Sequence, residues 1–270
     1  MSERNRGICK LTGNLGQFVK SHILPASLTK PAYPGAMLFQ HGSGLRAQKR
    51  RTSWYDAQIV CADGEKILSE LDDWGIKFLR QAKLVWSGFG PANRIEPDVF
   101  LSDLGSDLSD YGIRTIAVSE PEMLRRFMLS LLWRASVSQL QEMSEVQLDK
   151  DSEEQLTRYL VGDADLPLKF FPCWLTQHHQ IGFPHNQTPI KWTKAIPSIN
   201  GSLERQIDIY RFYFDGLVLH FHDTSSDDAD EFANCTLTVG YDSELLVTCV
   251  PWDRSAQLEN LKQVAQESLW

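Results

Sequence analysis

The 270-residue chain lacks any apolar run approaching the roughly 18–20 residues that cross a bilayer, so no membrane span and no membrane partner are predicted. Cysteine is scarce and odd in number, five in all, which excludes a disulfide-stapled scaffold and suits a reducing compartment. No apolar stretch of a secretory signal follows Met1-Ser2-Glu3-Arg4-Asn5-Arg6, and a cytoplasmic location is expected. Positive charge is in deficit: a formal net charge of −8 excludes a protein that coats nucleic acid over its whole surface. There is no Gly-rich phosphate loop, no Gly-x-Ser-x-Gly elbow, no Cys–His nucleophile pair and no internal repeat.

What is there is ordinary in bulk and uneven in detail. At 42% hydrophobic and 23% charged, the chain can bury one large core or two modest ones. Acid gathers at Asp227, Asp228, Asp230 and Glu231, far from a basic cluster at Arg46, Lys49, Arg50 and Arg51 with Trp54 and Tyr55 behind it. A local basic patch on an acidic protein can supply sequence-independent phosphate contacts.

The pattern predicts an α+β protein in three segments: 1–90, carrying the motifs below; 91–165, a helical packing region; and 166–270, a mixed α/β domain. Lys30–Gly44 is rich in Pro and Gly and reads as an irregular loop. Ile67, Leu68, Leu71, Trp74, Phe78 and Leu79 keep helical spacing from Glu65 to about Lys83. Short strands are expected near Asp98–Leu101 and Ile113–Val118. Ser119-Glu120-Pro121-Glu122 reads as a capping box opening a helix whose wide apolar stripe, Met123 to Ala135, makes it a central packing element. In that helix Trp133-Arg134 is expected to anchor it against the first segment. A further helix starts near Ser152 and stops at Gly162. Asp215-Gly216 between Ile207–Phe214 and Leu217–His222 is a hairpin signal, Cys235–Val239 and Leu245–Val250 suggest a second strand pair, and Leu258 to Ala265 a closing helix. His220 and His222, alternate residues of one strand, share a face and read chiefly as packing residues rather than as metal ligands with His178, His179 or His185.

Three blocks in order carry a family resemblance: Cys9-Lys10-Leu11-Thr12-Gly13 with Ser21-His22-Ile23-Leu24-Pro25; Val60-Cys61-Ala62-Asp63-Gly64-Glu65 opening a helix; and Ser130-Leu131-Leu132-Trp133-Arg134-Ala135-Ser136. Together they resemble bacterial proteins of the HNH (ββα-metal) endonuclease type, over roughly the first half of the chain. The resemblance implies that His22 is the general base, and that Glu65 with the position before the histidine, here Ser21, holds a divalent cation, Mg²⁺ or Mn²⁺. Asp56 falls near a third ligand position and offers a carboxylate. His22 and Glu65 are then expected to converge across a shallow cleft, with Arg46, Lys49, Arg50 and Arg51 contacting DNA. The resemblance also implies antiphage defence as a setting, with an ATPase as partner. In the family pattern each knuckle is a Cys-x-x-Cys pair; here Thr12 and Gly64 replace the second cysteines, so structural zinc is not expected. Cys9 and Cys61 are expected to lie close together as buried packing residues. The alternative is a non-catalytic protein- or nucleic-acid-binding module that keeps a degenerate HNH fold.

Overall fold

Asp215 and Gly216 both take positive φ, 49° and 81°, and close a tight turn between β11 (Arg205–Phe214) and β12 (Leu217–His222). Mirror-image turns of this kind match the twist of the strands they join, so the expected hairpin forms with Phe214 opposite Leu217. The computed structural model describes residues 5–30, 36–42, 44–102, 105, 108–196, 205–223 and 233–267. Asp227, Asp228, Asp230 and Glu231 lie outside the described residues.

The hairpin sits in a mixed sheet of nine strands, ordered β5-β4-β10-β11-β12-β9-β13-β8-β7. The other members are β4 (Leu38–Gly42), β5 (Leu45–Arg50), β7 (Val99–Phe100), β8 (Gly112–Ala117), β9 (Cys173–His178), β10 (His185–Ile196) and β13 (Glu244–Val250). Pairing is antiparallel except for β4 on β10 and β13 on β9, which run parallel. Two short ladders stand apart from the sheet: β1 (Arg6–Ile8) with β2 (Leu15–Gln17), and β3 (Ser21–His22) with β6 (Tyr55–Asp56). The helices are α1 (Ala26–Thr29), α2 (Ala62–Gln81), α3 (Pro121–Val137), α4 (Lys150–Val161) and α5 (Ala256–Glu267).

α3 is central, as its apolar width predicts. It is buried on all sides, including Leu124, Phe127, Leu131 and Trp133, and it packs against both α2 and α4. Closeness to α2 depends on Gly75, where an added Cβ would stand 2.4 Å from the Phe127 ring. Trp133 donates its indole N–H to Thr157 of α4 at 2.8 Å. α4 begins at Asp149, whose carboxylate accepts from the Ser152 N–H at 2.8 Å, and ends at Gly162 with φ of 87°.

Four expectations are corrected. The three-segment division does not survive: one core runs from Cys9 and Leu11 through α3 to Leu219 and Val247, and β4–β5 of the first segment belong to the same sheet as β8 and β13. The reason is that Leu38–Gly42, within the stretch read as an irregular loop, finds a strand partner in β10, which lies far ahead in sequence. Cys235–Val239 forms turns rather than a strand, joined to the sheet by one isolated bridge from Thr238 to Trp174. At α3 the N-cap is Glu120, without a side-chain cap, and Pro121 supplies the start instead.

Candidate functional site

The β3–β6 ladder carries the residues on which the nuclease resemblance turns. Ser21 pairs with Asp56 and His22 with Tyr55. Successive side chains on a strand face opposite ways. Ser21 and Asp56 are buried, whereas His22 is half-buried and Tyr55 exposed. The His22 ring meets the edge of Tyr55 with centroids 6.1 Å apart, and the Lys20 ammonium sits 3.6 Å above the same tyrosine ring.

Behind the ladder lies an ion pair. Arg134 of α3 is 1% exposed and forks onto both carboxylate oxygens of Asp72 in α2. It also donates to the His22 carbonyl at 3.1 Å and to the Ser130 hydroxyl at 3.0 Å. The expectation that Trp133-Arg134 anchors α3 to the first segment holds for Arg134, whereas Trp133 donates to Thr157 of α4 instead. Arg134 ties three elements together: β3, α2 and α3.

Burial keeps the His22 imidazole below its ordinary pKa, with Lys20 adding to the effect and Asp72 opposing it. Glu65, in the first turn of α2, is raised by burial, while the Ser21 hydroxyl and Arg134 pull the other way. Glu65 Oε2 is buried without a hydrogen-bond partner.

Asp56 is engaged in holding the fold. One oxygen accepts from the Ser138 hydroxyl at 2.9 Å and the Gln139 N–H at 3.2 Å; the other accepts from the Gln58 N–H at 2.8 Å. It joins β6 to the end of α3. A hard cation wants several oxygens, usually including one or two carboxylates. Here Asp56 and Asp72 are spoken for, Ser21 offers only a hydroxyl, and Glu65 alone retains an open carboxylate oxygen. That set does not fit Mg²⁺ or Mn²⁺.

The two knuckle cysteines do lie side by side. Cys9 Sγ, Cys61 Sγ and a carboxylate oxygen of Asp63 fall within 4.8 Å of one another, the one such group of three among the described residues. Cys9 and Cys61 are buried. Asp63 was not foreseen as a member. Its carboxylate accepts from Thr12 at 2.8 Å and Asn14 at 2.6 Å, which holds its pKa down. Cys61 is pushed up by burial and by Cys9, which keeps it a thiol. The Cys9 sulfur fills the space beside Gly64, 2.7 Å from where a Cβ would stand. Zinc takes four such donors; three are here.

Arg46, Lys49 and Arg50 lie on β5, the edge strand of the large sheet, and Arg51 follows it; all four are exposed. None is ion-paired among the described residues. Alternation puts Arg46, Gln48 and Arg50 on one face, where they line a small hollow with Gln40, Trp54 and Thr188. Exposed charge on an edge strand also discourages edge-to-edge pairing with another chain.

No three-ligand group among the described residues contains a histidine. His222 is buried against Trp174, with ring centroids 4.7 Å apart. Among the described residues, no helix is long and apolar enough to cross a membrane. No family model, curated protein or solved structure matches the chain.

Proposed function

We propose that this chain is a nuclease-derived nucleic-acid-binding protein, one that grips DNA on the basic edge of its sheet and has given up metal-dependent cutting. The observation that carries the binding half is the run Arg46, Lys49, Arg50 and Arg51: exposed, without an acid partner among the described residues, and set on a protein of net charge −8. Such a run is sequence-independent in what it recognises, because phosphates are. Support for the loss of cutting comes from the carboxylates. Asp56 and Asp72, two of the acids around the β3–α2 junction, are hydrogen-bonded into the scaffold, which leaves Glu65 as the one with an open oxygen.

A second reading, a working HNH-type endonuclease with His22 as base and Glu65 as cation ligand, is favoured by two observations. The imidazole is held neutral, as a proton acceptor must be, and Glu65 Oε2 has no partner. A defence setting and an ATPase partner follow from the resemblance under either reading.

Two measurements on the purified chain separate them. DNA binding should weaken with salt, and the double variant Arg46→Ala/Arg50→Ala should flatten the log–log salt slope by about 2. Plasmid incubated with Mg²⁺ or Mn²⁺ should stay intact. Cleavage that disappears in His22→Ala restores the endonuclease; a salt-independent interaction, or none, ends the nucleic-acid reading.

A further inference from the structure

A polar column runs under α5, away from the β3–β6 ladder and the Cys9–Cys61 pair. His185 stacks on Tyr213 at 4.7 Å on one side and on His41 at 5.2 Å on the other, with planes 13° apart in the second pair. Gln187 sits opposite both His41 and Tyr213 in the ladders of β10. All four residues are buried, and each keeps one polar atom without a hydrogen-bond partner: His41 Nε2, His185 Nε2, Gln187 Oε1 and the Tyr213 hydroxyl. Most buried polar side-chain atoms in proteins are satisfied, so four orphans in contact call for a partner.

The column opens onto a hollow of about 360 Å³ between the β4–β5 turn, β10 and α5. His41 and Gln187, 4% and 5% exposed, form its inner wall, and Trp192, Glu145 and Asn260 line the rest. That volume is in the range of small-molecule sites.

The lining selects by chemistry. His41 is held neutral, its pKa lowered to about 4 by burial. The single lysine of the wall, Lys191, is already paired with Asp208 at 3.2 Å and Asp223 at 3.6 Å. Glu145 adds a negative charge, engaged by the Lys191 N–H at 3.0 Å. Among the described residues that line the hollow, an anionic ligand therefore meets one carboxylate and no cation free of an acid partner; the Arg211 guanidinium lies outside the lining, against the Trp192 ring. Trp192 is 42% exposed, and the Arg211 guanidinium covers one ring face from 4.0 Å. Its surface is suited to stacking a flat ring. Amide and imidazole groups with an aromatic platform are how proteins read bases taken out of a stack.

We propose that this hollow binds a neutral nucleobase ring, stacked on Trp192 and hydrogen-bonded by Gln187 and His41. The acceptors Gln187 Oε1 and Glu145 favour a base with an exocyclic amino group, adenine or cytosine, over thymine. The ring can arrive as a free nucleoside or as an unpaired base in a strand. The second source rests on the nucleic-acid reading above; the first does not.

The test is calorimetric titration of the full chain with deoxyadenosine, deoxycytidine and thymidine. A parallel titration uses a short single strand whose central cytosine is present or abasic. The amino-bearing ligands should bind, by at least one route, and Gln187→Met should weaken them roughly tenfold or more, as should Trp192→Ala. Gln187→Met should leave the melting temperature unchanged or raised, because it removes a partnerless buried oxygen. Nucleoside binding without strand binding keeps the site and removes its link to nucleic acid. Base-dependent strand binding keeps both. The site is overturned if no ligand binds, or if binding persists at full strength in Gln187→Met and Trp192→Ala. In that event an intact Arg46/Arg50 salt slope would leave the proposed function standing.

Discussion

Arg134 is the residue whose partner we would remove first. It is 1% exposed, and among the described residues its one ion-pair partner is Asp72, 18% exposed, with the Glu65 carboxylate acting on it from farther off. In Asp72→Ala the guanidinium keeps the His22 carbonyl and the Ser130 hydroxyl, two neutral acceptors, and loses both charged ones. Breaking a buried pair from one side costs about 3–5 kcal/mol, because the surviving charge stays desolvated. Asp72's partial contact with water puts the expected loss at the lower end, about 3 kcal/mol. At about 2–4 °C per kcal/mol for a chain of this size, the melting temperature should fall by roughly 6–12 °C. Urea unfolding of Asp72→Ala, Arg134→Met and the double variant then closes a double-mutant cycle. The double variant buries no unpaired charge, so its loss should be smaller than the sum of the two by about 1–3 kcal/mol. His22 supplies an independent readout: Asp72 raises its pKa, so in Asp72→Asn the imidazole should titrate at lower pH by NMR. A loss under 1 kcal/mol in Asp72→Ala, or strict additivity in the cycle, would refute the anchoring role of Arg134.

Three other outcomes are expected. Gly75→Ala drives a methyl into the Phe127 ring, 2.4 Å away, and should cost about 1–3 kcal/mol in denaturant unfolding; no loss would mean α2 and α3 can separate freely. His41, His178 and His185 are held at about 4, 4 and 3 by burial, against an ordinary value of 6.5. The unfolded chain therefore binds more protons between those values. Stability should be full above about pH 6.5 and fall toward pH 4, with Asp215, raised to about 6, opposing in part; a melting temperature that is flat or rises on acidification would contradict this. With three zinc-type donors rather than four, and apolar packing by Leu11, Ile59, Val60 and Leu68 around Cys9 and Cys61, EDTA should leave the melting temperature unchanged. Stoichiometric zinc that is lost in Cys61→Ser would overturn that.

Where periodicity and turn chemistry are local, the sequence was readable. The stripe of α3, the stop at Gly162 and the Asp215-Gly216 hairpin each depend on residues within one turn or strand of each other. Cys9 and Cys61 met as the spaced motif implied. What escaped was long-range. Leu38–Gly42 carries no strand pattern of its own beside Pro31, Pro34 and Gly35, and it becomes β4 because β10 offers a parallel edge. Asp63 joined the cysteines through Thr12 and Asn14, contacts that cross about fifty residues of sequence. Asp56 looked like an available ligand because its three donors, at Gln58, Ser138 and Gln139, come mostly from the far end of α3. The buried column of His41, His185 and Tyr213 was equally invisible: isolated histidines scattered along a chain say nothing about stacking until strands are paired.

The parallel pairing of β4 with β10 also sets a timetable. His41 finds its partner at Gln187, 146 positions later by subtraction of the residue numbers. At about 5–20 residues per second, a ribosome needs roughly 7–30 s to deliver that partner. For that interval the β4–β5 hairpin has an open edge facing whatever else is nearby, and the row of arginines and lysine on β5 guards only its outer side. The nascent chain is therefore most exposed to mispairing during synthesis of the stretch between α2 and β10. Slowing translation there, or releasing the chain early near residue 165, should favour aggregation over folding even though the motif-bearing half is already complete.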